Sequence, residues 1–176
     1  LIRKINFPKY IIVISGSLSA FINLLINLVV IIVFVIIAGV PMHASLLLFP
    51  LYIIELYVLA LALAFILSTV YVKYRDISHI WEIILQAAFY ATPILYPVTL
   101  VIKEAGLPVA QLLLINPVAQ IIQDARYALI TTQTVTMNTL TDNIILILAP
   151  FVIVIALVIF ATFYFKKHSA YFSENV

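Results

Sequence analysis

The stretch YRDISHIWEIILQAAFYATPILYP, Tyr74–Pro97, combines a membrane-like middle with a charged start and a broken end. It opens on Arg75 and Asp76 and closes on Pro93 and Pro97. Proline removes a backbone donor and clashes with the preceding turn, so a helix must bend or end there. Irregular backbone at membrane depth is tolerated only where protein buries it or where it lines a cavity. The stretch therefore predicts a membrane span that is interrupted at its exit.

The composition of the whole chain places it among membrane proteins. Of its 176 residues, 66% are hydrophobic and only 9% are charged, and the mean hydropathy is +1.26. A soluble domain of this length would need many more charged residues on its surface. The charges also cluster between long apolar runs. We therefore predict an all-α, polytopic transmembrane helical bundle in a single domain.

Four apolar runs are long enough to cross a bilayer, which takes about 20 residues per helix. The predicted spans are 10–40, 46–72, 80–96 and 144–165. Between the last two, residues 98–143 contain apolar stretches that are too short to cross, separated by Asn116-Pro117. We predict two short helices at one membrane face, followed by a Thr-rich loop. The second of these, Pro117–Ile130, has an amphipathic pattern, with Gln120, Gln123, Asp124 and Arg126 on its polar side.

The basic residues predict the orientation of the bundle. With a cytoplasmic segment at 1–9 and four spans, both termini lie inside, and the cytoplasm receives Arg3, Lys4, Lys9, Lys73, Arg75, Lys166 and Lys167. The opposite side receives only Lys103 and Arg126. This asymmetry agrees with the positive-inside rule, so the short helices are expected to be extracytoplasmic. The chain starts at Leu1 rather than methionine, and we expect it to be a fragment that lacks upstream sequence.

The sequence carries no enzyme or metal signature. It has no cysteine and three glycines, and it contains neither a zinc-binding HExxH motif nor a glycine-rich phosphate loop. Its three histidines are far apart and lie at span ends, where interfacial placement explains them. The basic residues flank spans instead of forming a separate patch, which argues against nucleic-acid binding.

Two sets of residues within the spans have open alternatives. A carboxylate at Glu55 is expensive inside a membrane, so three alternatives are open. Glu55 faces the bundle interior as a polar lining or helix–helix contact, lies near the headgroups, or is protonated and bonded to a neighbouring backbone carbonyl. Phe89, Tyr90 and Tyr96 flank the Thr92-Pro93 break. These rings could stack on sugar faces beside a cavity, or simply pack against neighbouring apolar groups.

Four segments, taken in order along the chain, resemble the permease subunits of type-2 ABC exporters. They are LIRKINFPKY, YRDISHIWEIILQAAFYATPILYP, INPVAQIIQDARYALI and KKHSAYFSENV. The resemblance is strongest to the branch that exports lipid-linked polysaccharides, O-antigens, capsules and teichoic acids from bacteria. Such permeases have six spans after an amphipathic cytoplasmic helix, so the resemblance implies that the first two spans are absent here.

The resemblance also implies roles for particular residues. Those that match the cytoplasmic surface that couples to the ATPase are Arg3, Lys4, Phe7, Pro8, Lys9, Arg75 and Asp76. Those expected at the translocation path or its extracytoplasmic gate are Glu55, Phe89, Tyr90, Thr92, Pro93, Tyr96, Pro97, Asn116, Pro117 and Arg126. The resemblance implies no role for any residue in the stretch 98–111.

The implied function is that of a non-enzymatic half-transporter in the bacterial cytoplasmic membrane. Its expected partners are membrane lipid, a lipid-linked glycan, a second permease copy and an ATP-binding subunit that supplies both ATP and magnesium. Three alternatives remain open. The first is a type-2 exporter of drugs or lipids, and the second is a structural subunit that tolerates changes at Glu55 and Thr92-Pro93. The third is a membrane transferase that uses Asp124, Arg126 and Asp142.

Overall fold

A computed structural model describes residues 10–41, 43–74 and 76–168 of the chain. Within these ranges the secondary structure is helical, without a strand, which confirms the predicted fold class. A short 3-10 helix, Ala44–Leu48, precedes α2. The α-helices are α1 Tyr10–Ile37, α2 Phe49–Lys73, α3 Ile77–Ala91, α4 Val98–Ala105, α5 Leu107–Ile115, α6 Pro117–Leu129, α7 Met137–Leu140 and α8 Ile144–His168.

Three helical segments are long and apolar enough to cross a membrane. They are α1 with 28 residues, the continuous segment Ala44–Lys73 with 30, and α8 with 25. At about 1.5 Å of rise per residue each exceeds the roughly 30 Å hydrocarbon core of a bilayer. They match the first, second and last predicted spans to within a few residues at each end.

The predicted span 80–96 has a different shape in the structure. Its helix, α3, covers Ile77–Ala91 and is only 15 residues long. That length corresponds to about 22 Å, shorter than a typical hydrocarbon core. The helix stops at Thr92 because the residue before a proline is pushed into extended backbone, here with φ −98° and ψ 139°. The helix therefore ends at Ala91 and does not reach Tyr96, and a fourth crossing of the membrane stays a prediction.

Side-chain contacts fix the relative directions of the long helices. The Oγ of Ser17 lies 3.4 Å from the hydroxyl of Tyr57, whereas Leu28 packs beside Phe49, so α1 and α2 are antiparallel. Leu59 packs with Val154, and the Phe65 and Phe165 rings lie 4.9 Å apart. The helices α2 and α8 are therefore parallel, and Lys73 lies at the same end of the bundle as Lys166 and Lys167.

The short helices gather at the opposite end. We predicted two of them between residues 98 and 143, and the structure has four, because Gly106 and the segment 130–136 divide the region further. Their core is an apolar cluster of Val98, Ala110, Leu114, Ala119 and Met137. In addition, α6 packs into the bundle, since Ile121 contacts Leu59 and Ala128 contacts Ile53. This packing sets the polar side of α6 against the break after α3 and against α2.

Candidate functional site

The break after α3 is a buried turn. Thr92 is 2% exposed, and Pro93 is among the fully buried side chains. The Thr92 backbone N–H and its Oγ1 both donate to the carbonyl oxygen of Ala88, at 2.9 and 2.7 Å. The Ile94 N–H donates to the Thr92 carbonyl oxygen at 2.7 Å, which closes a tight turn. The chain thus changes direction inside protein, as irregular backbone at membrane depth requires.

Two side chains of α6 hold this turn. Arg126 donates from Nη1 to the carbonyl oxygen of Pro93 and from Nη2 to that of Ile94, both at 2.8 Å. Gln123, which is 3% exposed, donates from Nε2 to the same Pro93 oxygen at 3.2 Å. The planar guanidinium suits two adjacent acceptors, because its donors have a fixed fork geometry. These three bonds join α6 to two carbonyls that lie beyond the end of α3, outside its pattern of helical hydrogen bonds.

The start of α6 is fixed by the residues that the sequence singled out at this point. The Asn116 Oδ1 accepts a hydrogen bond from the Val118 N–H at 3.1 Å, and Pro117 occupies the first turn. Asparagine is a favoured N-cap, and proline is tolerated in a first turn because its missing N–H has no helical partner there. Asn116 and Pro117 therefore set where α6 begins, and with it the register of Gln123 and Arg126.

A polar groove lies beside the turn. Its volume is about 260 Å³. It is lined by Pro97, Val98, Thr99, Gln123, Arg126, Thr131, Gln133, Thr134 and Val135. Hydroxyl and amide groups beside a guanidinium can hydrogen-bond to hydroxyl-rich or anionic groups. The groove joins the exit from α3 to two elements that are distant from it in sequence, the end of α6 and the Thr-rich loop that follows α6.

The predicted aromatic residues do not line the buried turn. Phe89 and Tyr90 are 41% and 65% exposed, with ring centroids 5.5 Å apart in an edge-to-face arrangement. Tyr96 is half-buried and donates its hydroxyl to the Tyr90 carbonyl oxygen at 3.2 Å. Phe89 and Tyr90 are thus exposed on the surface of this chain, and the assignment of all three rings to a translocation path stays a prediction.

Glu55 faces a second polar contact, between α2 and α6. Both of its carboxylate oxygens are buried without a hydrogen-bond partner. Asp124 and Gln120 lie close enough to act on it electrostatically. The Gln120 Nε2 instead donates to the Asp124 Oδ2 at 2.6 Å. Burial raises the pKa of Asp124 above its ordinary value, and this hydrogen bond opposes the shift. The structure thus places Glu55 inside the contact between α2 and α6.

Sequence reasoning missed the role of Gln120 and Gln123. We assigned both to the polar side of an amphipathic helix, but they are 2% and 3% exposed. Polar residues at helical spacing beside an apolar stripe usually indicate a solvated face. The nearby Pro93 offered a signal, because a proline ends the helix and the carbonyls that follow the end need donors from another element.

Most of the predicted ATPase-coupling residues lie outside the part of the chain that the structure describes. These are Arg3, Lys4, Phe7, Pro8, Lys9 and Arg75. Asp76 is described, exposed and immediately before α3, without a side-chain capping bond. It lies close in sequence to Lys73, at the end of the bundle where α8 also finishes. Its coupling role stays a prediction.

The described residues contain no group of three or more histidine, aspartate or glutamate side chains that could hold a metal ion. The groups proposed for a transferase are also separated. Arg126 is directed at two carbonyls, Asp124 is bonded to Gln120, and Asp142 is exposed before α8.

Comparison with known proteins gives one informative similarity. The chain is 28% identical over 121 residues to the O-antigen export system permease protein RfbA of Myxococcus xanthus. The match covers 69% of this chain and 46% of that protein, so the chain spans about half the length of the relative. No family model matches the chain, and no solved structure matches it either. Together with the apolar helices, the similarity supports an export permease, a transport subunit in a membrane.

Proposed function

We propose that this chain is part of the permease subunit of an ATP-driven ABC exporter that moves lipid-linked polysaccharide across the bacterial cytoplasmic membrane. The observation that carries the proposal is the proline-interrupted α3 turn, held at one end of an apolar bundle by polar side chains of α6. The similarity to an O-antigen export permease supports the export role and this class of cargo.

In this proposal, two copies of the permease line the path and two ATP-binding subunits dock at the basic end. The four segments that resemble export permeases contain no glycine-rich phosphate loop, so ATP and magnesium would bind to the partner subunits. Arg3, Lys4, Phe7, Pro8, Lys9, Arg75 and Asp76 form the docking surface. Closure of the ATP-binding subunits on ATP would move this surface as a rigid element.

The gate is the contact between α6 and the α3 turn. Opening it requires Arg126 and Gln123 to leave the carbonyls of Pro93 and Ile94. Those carbonyls then need other donors, and hydroxyl groups of a passing glycan could supply them. The polar groove beside Arg126 would receive the polymer as it leaves.

The coupling assignment can be tested with the complete transporter and its ATP-binding subunit in proteoliposomes. We expect Arg75→Ala and Asp76→Ala each to reduce export and substrate-stimulated ATP hydrolysis, while membrane insertion stays normal. Lys103→Ala is the control, because Lys103 is an exposed residue of α4 at the other end of the bundle. Normal coupling in both variants would refute the assignment.

An exporter of drugs or lipids is the second candidate, and two apolar grooves along α1 and α2 favour it. They measure about 230 and 330 Å³ and involve residues such as Ile32, Phe49 and Pro50. ATP hydrolysis that is stimulated by small hydrophobic compounds but not by a lipid-linked glycan would select this candidate. Stimulation by the glycan alone would select polysaccharide export.

A further inference from the structure

The contact between α2 and α6 holds two carboxyl groups that cannot easily both be charged. Glu55 comes from α2 and Asp124 from α6. Both oxygens of Glu55 are buried, and the half-buried Asp124, which accepts a hydrogen bond from the Gln120 amide, acts electrostatically on Glu55. Like charges at close range in a low-dielectric site repel strongly, so one of two such carboxyls usually keeps a proton. The pair titrates as a unit rather than as two separate acids.

Three unsatisfied acceptor atoms show that a donor belongs in this cluster. Gln120 is 2% exposed, and its Oε1 is buried without a hydrogen-bond partner. Both oxygens of Glu55 are buried and unpartnered as well. Buried acceptors in folded proteins are nearly always satisfied. A proton on the carboxyl pair would convert one of these acceptors into a hydrogen-bond donor. Protonation thus supplies the missing donor without a further bound group.

The surrounding described residues provide no positive charge to neutralise the pair. The guanidinium of Arg126 on α6 donates its hydrogen bonds to the carbonyls of Pro93 and Ile94 instead. The Tyr52 hydroxyl of α2 interacts electrostatically with both carboxyls and with the Tyr127 hydroxyl of α6, and neither hydroxyl supplies a positive charge. Among the other helices packed on α2 and α6, α1, α5 and the 3-10 helix contribute no charged residue, and those of α3 and α8 lie toward the basic end.

We propose that Glu55, Gln120 and Asp124 form a proton-binding site in which the two carboxyl groups share one proton. Loss of the proton leaves two negative charges facing each other across the contact between α2 and α6. Because α6 also holds the turn after α3, deprotonation loosens α6 from the bundle. Only this last step, the consequence for the gate, rests on the proposed function.

The direction of the pH effect follows from the burial of the pair. Burial favours the protonated form in the folded protein, as it does for Asp124, whose pKa is raised. The folded state therefore binds protons more tightly than the unfolded state does. Its stability falls as pH rises from the ordinary carboxyl range to the raised pKa of Asp124. The contact is tightest on the acidic side of that window.

Infrared difference spectroscopy of the complete transporter in lipid, recorded as a function of pH, tests the site directly. We expect a protonated-carboxyl C=O band at neutral pH that disappears as pH rises. In Glu55→Gln and in Asp124→Asn, the remaining acid has no like-charged neighbour, so the titration should shift to lower pH. Glu104→Gln is the matched control, because Glu104 is an exposed acid on α4, and it should titrate as the unmodified protein does.

A second measurement reports on α6 and does not depend on transport. The chain contains no cysteine. Once any cysteine elsewhere in the complete permease has been replaced, cysteines introduced at the exposed Ile54 and Ile130 carry the only spin labels. We expect the distance between the labels to increase with pH, and to stay constant when Glu55→Gln is added.

Three results would overturn the proposal. They are absence of a protonated-carboxyl band at neutral pH, a titration unchanged by both substitutions, and a titration that depends on whether sodium, potassium or only a bulky organic cation is present. The last would indicate a bound metal cation. A normal titration in a transporter that fails to export glycan would leave the proton site standing and refute the proposed cargo.

Discussion

Replacing Arg126 should lower the free energy of unfolding by more than the loss of one charge suggests. Two of its N–H groups donate to carbonyl oxygens in the turn after α3. In Arg126→Met, the carbonyl of Ile94 loses its donor, while that of Pro93 keeps the bond from Gln123. Stranding a buried acceptor costs about 1–3 kcal/mol in soluble proteins, whereas hydrogen bonds measured within membranes average about 0.6 kcal/mol. We therefore expect about 2 kcal/mol of destabilisation.

Three further variants distinguish the effect of the two hydrogen bonds of Arg126 from the effect of its positive charge. Arg126→Lys keeps the charge but cannot fork to two carbonyls, so we expect about half of the loss seen with methionine. Gln123→Leu should cost less than about 1 kcal/mol, because the Pro93 carbonyl still accepts from Arg126. Lys103→Met removes an exposed cation and should stay within about 0.5 kcal/mol of the unmodified protein.

The combination of Arg126→Met with Gln123→Leu is the decisive measurement. Neither single change strands the Pro93 carbonyl, but the double change does. The loss in the double variant should therefore exceed the sum of the single losses by about 1 kcal/mol. Equilibrium unfolding in mixed micelles gives all of these values. The reasoning fails if the losses add, or if Arg126→Met is no more destabilising than Lys103→Met.

Two backbone predictions accompany this one, and both are measured by the same unfolding assay. Asn116→Ala removes the cap on the Val118 N–H and should cost about 1 kcal/mol, whereas Asn116→Asp keeps an acceptor and should be nearly neutral; equal effects would exclude a capping role. Gly106 joins α4 to α5 with φ +88°, so Gly106→Ala should cost about 1 kcal/mol or more. In the control Gly16→Ala, the added methyl group meets nothing within 4 Å and should be neutral or stabilising.

The arrangement gives α6 two different polar connections. Gln123 and Arg126 bind the turn after α3, whereas Gln120 and Asp124 face Glu55 on α2. Residues three or four apart lie on neighbouring parts of a helix surface. A small movement of α6 therefore changes both connections together, which is useful in a gate.

The sequence alone was enough to predict the class and the ends of the main helices. Long apolar runs between clustered charges predicted α1, α2 and α8, because a bilayer accepts only helices or closed barrels. Proline chemistry predicted the interruption at Thr92-Pro93 and the start of α6 at Asn116-Pro117. These are local effects of steric restriction and missing donors, so they can be read from neighbouring residues.

The partners of the polar residues could be decided only by the tertiary structure. Nothing local distinguishes a glutamine on a solvated face from Gln120 or Gln123, whose burial depends on how α6 packs against α2 and the α3 turn. The same packing brings Glu55 to Asp124 across 69 positions of sequence. Periodicity records which residues share a face of a helix, but only the three-dimensional packing determines what that face meets.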